Sequence, residues 1–173
     1  MATVEFSEII LHLTAIINTS KQRRKKDNMN INESIASVKD HGFFKHWMPA
    51  LQRLVIQRAL KGEEKLFFVE MLSGLRERIE AMPMSYETDG QGDDAIAYLH
   101  YFLGGIDAWI TEKDKGEAAL LPCECYEQLQ AFGKVCLTGD KEDAELGYVS
   151  IQEMIENGVE LDLYWTPKKL KEV

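Results

Sequence analysis

Three ionisable side chains in the C-terminal half of the sequence have the types that acid–base catalysis uses. His100 lies in the apolar run IAYLHYFL, where strand alternation places it on one face with Tyr98 and Phe102. Glu112 and Asp114 follow in WITEKD, and the same alternation places both carboxylates on one face of a strand. If all three converged in a pocket, they could transfer protons. Because aromatic neighbours equally suit a packed histidine, the sequence assigns no catalytic residue, and this trio remains only an enzyme hypothesis.

The cysteines offer the nearest approach to a metal motif. Cys123 and Cys125 form a C-x-C step, and Cys136 follows in the next predicted strand. Structural zinc sites usually combine two Cys-x-x-Cys-type pairs or Cys/His equivalents, so the fourth ligand would have to be His100 or a carboxylate. An odd number of cysteines without a secretion signal favours reduced thiols. We therefore expect no metal and no cofactor.

Four acidic residues cluster in the segment GDKEDAELGY, at Asp140, Glu142, Asp143 and Glu145. Calcium-binding loops place acids at alternate positions with a required glycine and a distal glutamate, and this segment lacks that register. The composition predicts an exposed turn between two strands. We predict these four carboxylates as the residues that contact a partner protein.

A basic run, KQRRKKD, occupies residues 21–27 and contains Arg23, Arg24, Lys25 and Lys26. Cations at this place suit the negative C-terminal end of a preceding helix. They could also contact the phosphates of a nucleic acid, although no aromatic residue interrupts the run to stack on bases. The run therefore supports the alternative hypothesis of a nucleic-acid-binding accessory protein.

Charge is distributed unevenly along the chain. The 173 residues carry a net charge of −9, and 45% of them are hydrophobic, enough for a packed core. Residues 1–80 hold 13 Lys and Arg against 10 Asp and Glu, whereas residues 81–173 hold 7 against 19. The acidic C-terminal half repels nucleic acid phosphate and suits a basic protein surface.

No apolar run reaches the roughly 18 to 20 residues that a membrane-spanning helix needs. The N-terminal stretch carries Glu5 and Glu8 where a secretion signal would carry positive charge. We therefore expect a cytoplasmic protein without a membrane partner.

Hydrophobic periodicity predicts a helical first half. Apolar residues recur at helical spacing over 4–17, around 33–40, from about residue 48 to Lys61, and over 63–82. Leu66 and Phe67 are among the residues expected in the buried stripe of the last of these helices. Residues 83–95 lose all periodicity and are rich in Gly and Asp, which predicts a linker.

From residue 96 the spacing of hydrophobic residues changes from that of helices to that of strands. Two hairpins are predicted, the first turning at Gly104–Gly105 and the second at the acidic segment. Ser150 then caps a short helix that ends at Gly158, and VELDLYW is the last strand. The predicted fold is α+β: a helical region at 1–82, a linker at 83–95 and an antiparallel sheet with one short helix at 96–173.

Four segments of this second half have the order and spacing of a known family. They are AWITEKD, QAFGKVCLTG, ELGYVSIQEMI and LDLYWTPKKLKEV. Together, residues 96–173 resemble the bacterial family named domain of unknown function 2958. The matching positions are Trp109 to Glu112, Ala131 to Gly139, Glu145 to Met154 and Leu161 to Pro167; residues 1–81 show no such resemblance.

The resemblance implies a genetic context for the protein but no catalytic activity. Members of that family occur largely in phages, plasmids and integrative elements, often near anti-defence genes, and no catalytic residue set is attached to them. The leading hypothesis is thus a non-enzymatic interaction protein of a mobile genetic element. Its acidic surface would bind another protein, one version being a host defence factor that normally binds nucleic acid.

Overall fold

A computed structural model describes residues 41–114 and 130–173 of the chain. These residues form helices and antiparallel strands, which confirms the α+β class. Several predicted features lie outside the described residues: the helices over 4–17 and around 33–40, the basic residues Arg23, Arg24, Lys25 and Lys26, and the cysteines Cys123 and Cys125.

Within the described residues, three helices precede the strands: α1 (His41–Lys45), α2 (Ala50–Ala59) and α3 (Lys65–Ala81). The second begins directly after Pro49, whose φ of −59° and lack of an N–H suit a helix start. The helices predicted from about 48 to 61 and over 63–82 are therefore confirmed to within about two residues.

The buried stripe of α3 consists of residues three or four positions apart: Val69, Leu72, Leu75 and Ile79. The expectation that Leu66 and Phe67 belong to this stripe was wrong, because both side chains are exposed. The stripe begins one turn later than predicted. The ring of Phe67 contacts Phe68 and Tyr164 at the surface instead.

The strands form two antiparallel sheets. A five-stranded sheet has the order β5-β4-β3-β2-β6, and a small sheet pairs β1 with β7. The strands are β1 (Ile96–Ala97), β2 (Leu99–Leu103), β3 (Ile106–Lys113), β4 (Gln130–Cys136), β5 (Glu145–Ser150), β6 (Glu160–Leu161) and β7 (Lys168–Lys169). Both predicted hairpins are confirmed, and Gly104 occupies the first turn with φ 59°.

The close approach of β3 and β4 at the centre of the sheet requires a glycine at position 133. A Cβ atom on Gly133 of β4 would lie 2.1 Å from the carbonyl oxygen of Trp109 on β3. This close approach accompanies a register shift in β3 between Ile110 and Glu112. Because the obstacle is main chain rather than a flexible side chain, no larger residue fits here without moving a strand.

The two faces of the large sheet are covered differently. The Tyr101 hydroxyl donates to the main-chain oxygen of Trp47 at 2.8 Å, on the side where α1 and α2 pack. The Gln52 side chain of α2 also donates to and accepts from the main chain of Leu161, at 2.6 and 3.2 Å. The opposite face carries Trp109 and is covered by the β1–β7 sheet together with Leu170.

The short helix α4 (Ile151–Glu156) follows β5 as predicted, since the Ser150 hydroxyl accepts from the main-chain N–H of Glu153 at 3.0 Å. The prediction of a last strand through VELDLYW was wrong beyond its start. Strand pairing ends after Leu161, because the Asp162 carboxylate accepts from the N–H of Tyr164 at 3.0 Å and turns the chain.

Residues 83–95 lie along β3 in this structure. Main-chain hydrogen bonds of 2.9 Å join Lys113 to Pro83 and to Ser85, and a short 3₁₀ turn forms at Gly92–Asp94. Asp40–Val173 forms one compact unit. The predicted domain boundaries concern the whole chain, including residues outside the described part, and they stay a prediction.

Candidate functional site

His100 lies in an aromatic cluster on the face of the large sheet that carries Trp109, and it is partly buried. Its position on β2 places it opposite Trp109 of β3. The two rings stack with centroids 5.6 Å apart and an interplanar angle of 9°. Phe102 and Trp165 flank the imidazole at 5.8 and 5.0 Å. The predicted sharing of a face by His100 and Phe102 follows from strand alternation.

Both nitrogens of this imidazole contact a carboxylate. Nε2 lies 2.8 Å from Oδ1 of Asp107, and Nδ1 lies 3.2 Å from Oδ2 of Asp162. A neutral imidazole donates from one nitrogen only, whereas the protonated ring donates from both. This ring therefore ties the β2–β3 hairpin to the turn at Asp162.

Arg78 of α3 extends this network from the helical side. Its guanidinium donates to the main-chain oxygens of Trp165 and of Leu163, the latter at 3.4 Å. Burial lowers the pKa of this guanidinium, and the nearby charge of Asp162 opposes that shift. The Trp165 indole N–H in turn donates to the oxygen of Ala97 at 2.9 Å. The segment after β6 is thus fixed by side chains from a helix and from the sheet.

Glu112 has a different environment from His100. Its side chain is only 2% exposed and accepts three hydrogen bonds from the segment that lies along β3. The donors are the N–H of Tyr86 at 2.8 Å and, both at 2.6 Å, the N–H and hydroxyl of Thr88. Tyr86 has a φ of 75°, an unusual conformation for a bulky residue, and the Glu112 carboxylate holds it in place.

The structure brings His100 together with Asp107 and Asp162, not with the predicted carboxylates. The lone pairs of Glu112 are occupied by loop amides, and Asp114 lies just beyond β3 at the end of a described segment. Sequence reasoning missed Asp162 because it lies 62 positions from His100. His100 and these two carboxylates thus link β2, β3 and the turn that follows β6.

Cys136 is buried, and its thiol donates to the main-chain oxygen of Asp140 at 3.1 Å. Among residues 41–114 and 130–173, no group of three or more His, Cys, Asp or Glu side chains is arranged to hold a metal ion. Within the same residues, no helix combines the length and apolar character that a membrane crossing requires.

The predicted acidic partner-binding residues lie on the exposed turn between β4 and β5 and on the first residue of β5. Asp140, Glu142, Asp143 and Glu145 are all solvent-exposed. Hydrogen bonds shape the turn: Asp140 accepts from the N–H of Glu142 at 3.0 Å, and Asp143 accepts from the Thr138 hydroxyl at 3.1 Å. The carboxylates of Asp140 and Asp143 are therefore held in place, and all four acidic side chains face solvent.

Next to this turn, β5 forms one edge of the large sheet. It pairs only with β4 among the described strands. Leu146 and Tyr148 are 44% and 49% exposed, and Leu137 before the turn is more exposed still. Hydrogen bonding to the Tyr86 side chain raises the pKa of the Tyr148 hydroxyl to about 12, and the Tyr148 ring packs edge-on to Phe132. The result is a large aromatic side chain with a fixed position at the surface.

An open groove of about 710 Å³ runs along this edge. All six residues of β5 line it, and α4 forms part of its wall through Met154. Its apolar lining includes Val135, Val149 and Val159. Among the described residues that line the groove, the charged ones are acidic: Asp143, Glu145 and Glu153.

Comparison of the chain with protein-family models, with curated proteins and with solved structures returned no match.

Proposed function

We propose that this chain is a non-enzymatic interaction protein, and that the acidic turn binds a basic surface of a partner protein. The carrying observation is that Asp140, Glu142, Asp143 and Glu145 are all exposed on one turn beside exposed apolar side chains. Carboxylates next to a large aromatic such as Tyr148 combine steering charge with an anchor of the kind that dominates binding energy.

Local geometry makes this turn a ready binding surface. Its hydrogen bonds to Thr138 and to the N–H of Glu142 fix the chain, so little conformational entropy is lost on binding. The ammonium of Lys141, the basic residue within the turn, lies 5.4 Å from the centre of the Trp109 ring. The cation therefore lies toward the sheet, and the carboxylates give the exposed surface of the turn its negative charge.

The setting that we propose is the bacterial cytoplasm, in a cell that carries a phage, plasmid or integrative element. Support for this setting comes from the resemblance of residues 96–173 to the mobile-element family. A host defence factor that normally binds nucleic acid fits the chemistry, because a cluster of exposed carboxylates resembles a row of phosphates to a basic protein.

The test compares the wild type with a variant that neutralises the turn while keeping its hydrogen-bond acceptors. The changes are Asp140→Asn, Glu142→Gln, Asp143→Asn and Glu145→Gln. Asparagine also accepts from main-chain N–H groups, so the turn is expected to keep its shape. Tagged proteins are used to capture partners from a bacterial lysate, with and without nuclease, and the captured proteins are quantified by mass spectrometry.

A matched control removes the same number of charges from exposed positions in α3 and directly before it: Glu63→Gln, Glu64→Gln, Glu70→Gln and Glu77→Gln. We expect a stoichiometric partner that survives nuclease, that the control variant retains, and that the turn variant loses. Equal capture by wild type and turn variant contradicts the proposal. Capture that vanishes with nuclease instead favours a nucleic-acid-binding accessory acting through Arg23, Arg24, Lys25 and Lys26.

A further inference from the structure

β5 leaves the large sheet with an open side. It is six residues long, and among the described strands only β4 pairs with it. Proteins usually protect such an edge with proline, lysine, a bulge or a covering element. The sequence ELGYVS contains neither proline nor lysine, and it pairs with β4 in continuous register from Glu145 to Ser150. The outward N–H and C=O groups of β5 are therefore placed to bind another strand.

The groove along this edge defines what such a strand would carry. Val135, Val149 and Val159 supply an apolar lining, and Asp143, Glu145 and Glu153 supply the charge. In a strand, side chains alternate between two faces, so one set would enter the groove while the other stays in solvent. An occupant with alternating apolar and basic residues matches both the lining and the charge.

From these observations we infer that β5 binds an extended basic and apolar peptide segment of the partner, which adds as a sixth strand to the sheet beyond β5. The inference rests on the proposed function and names the structural mode of binding. Main-chain hydrogen bonds to β5 provide the affinity, and the acidic lining selects a basic sequence. A second copy of this chain suits the site poorly, because pairing of two β5 strands brings the acidic linings of both copies together.

Gly147 allows a specific obstruction of the groove. It lies in the middle of β5 and lines the groove, and a Cβ atom built on it meets nothing within 4 Å. Its φ lies outside the positive range, so a β-branched residue fits the backbone. Gly147→Val should therefore fold while filling the space that an entering side chain needs. Gly74→Ala in α3, where a Cβ is equally unhindered, is the matched control.

The probe is a fluorescein-labelled peptide of alternating lysine and valine, seven residues long, titrated into the full chain and followed by fluorescence anisotropy. Two further peptides carry N-methyl groups on alternate nitrogens, one along each edge. We expect the parent peptide to bind, Gly147→Val to weaken binding at least tenfold, and Gly74→Ala to leave it unchanged. At least one N-methylated peptide should bind with an affinity reduced tenfold or more, because methylation removes the main-chain N–H donors along one edge of the peptide and keeps its charge.

The outcomes separate this inference from the function on which it rests. Strand addition is refuted by one combined result. The wild type binds both N-methylated peptides as tightly as the parent peptide, and Gly147→Val binds the parent peptide as tightly as the wild type does. If the neutralised turn variant then fails to bind the parent peptide, the acidic turn binds by charge alone. Absence of parent-peptide binding also refutes strand addition, and the lysate capture then decides the proposed function separately. A concentration-dependent dimer in sedimentation, abolished by Gly147→Val, assigns the edge to a second copy and overturns the peptide assignment.

Discussion

The strongest single test of the structure is the replacement Glu112→Gln. The change keeps the size of the side chain but converts one acceptor oxygen into an NH₂ donor. In the wild type, Oε1 accepts from the N–H and hydroxyl of Thr88, and Oε2 accepts from the N–H of Tyr86. A glutamine can place its oxygen at only one of these positions, so an NH₂ group must face an N–H donor at the other.

The expected loss of stability follows from the number of hydrogen bonds that the variant cannot make. At least one charge-assisted hydrogen bond disappears, and one buried donor is left without an acceptor, which together cost about 2 to 4 kcal/mol of the free energy of unfolding. Urea denaturation followed by circular dichroism measures this difference through its midpoint, provided that the slope is unchanged. The melting temperature should fall on the order of 10 °C.

Hydrogen exchange provides a local measurement of the same effect. At least one of the two amides, that of Tyr86 or that of Thr88, should exchange on the order of a hundredfold faster in the variant, because the glutamine NH₂ group cannot accept its hydrogen bond. Glu145→Gln is the control, since that carboxylate is exposed at the start of β5 and its loss should change stability by less than about 0.5 kcal/mol. A Glu112→Gln protein that matches this control in both assays would refute the structural role of the carboxylate.

Three further predictions follow, two measured by urea denaturation and one by NMR. Gly133→Ala should destabilise the protein by about 3 kcal/mol or more, measured in urea, because its Cβ would lie 2.1 Å from the oxygen of Trp109. Tyr101→Phe should cost about 1 to 3 kcal/mol in the same titration, since it leaves a buried main-chain acceptor unpaired. Hydrogen bonds from Lys171 and Lys169 lower the pKa of Asp94 from 3.8 to about 2. A lowered folded-state pKa gives stability that is present above the unfolded value and lost as pH falls toward the folded value. In Lys171→Met, carbon-detected NMR should find the pKa of Asp94 moved back toward 3.8, and no movement would contradict the ion pair.

The parts of the fold that the sequence predicts well are those with local signals. The Gly104–Gly105 turn lies between two runs of β-branched and aromatic residues, and the first hairpin forms there. Ser150 and Glu153 lie three positions apart before an apolar face, and α4 begins there. In both cases the information lies within a few neighbouring residues.

Interactions between distant positions were not predictable in this way. The partners of Glu112 lie 24 and 26 positions earlier, and Asp162 lies 62 positions after His100. Strand alternation indicates which face a side chain occupies, but not which turn covers that face. The sequence could therefore propose His100 and Glu112 as catalytic candidates, and only the folded contacts show that amides and carboxylates engage them.

The order of the strands also has a consequence for the rate of folding. The β2–β3 and β4–β5 hairpins join neighbouring strands, whereas Tyr101 pairs with Leu161 and Ala97 pairs with Lys168. Contacts between positions so far apart form slowly, because the entropy of closing a long loop must be lost before they stabilise the chain. A folding intermediate with both hairpins formed and β6 undocked would expose strand edges at both ends of the sheet. Such a species would be prone to aggregate until β6 docks against β2.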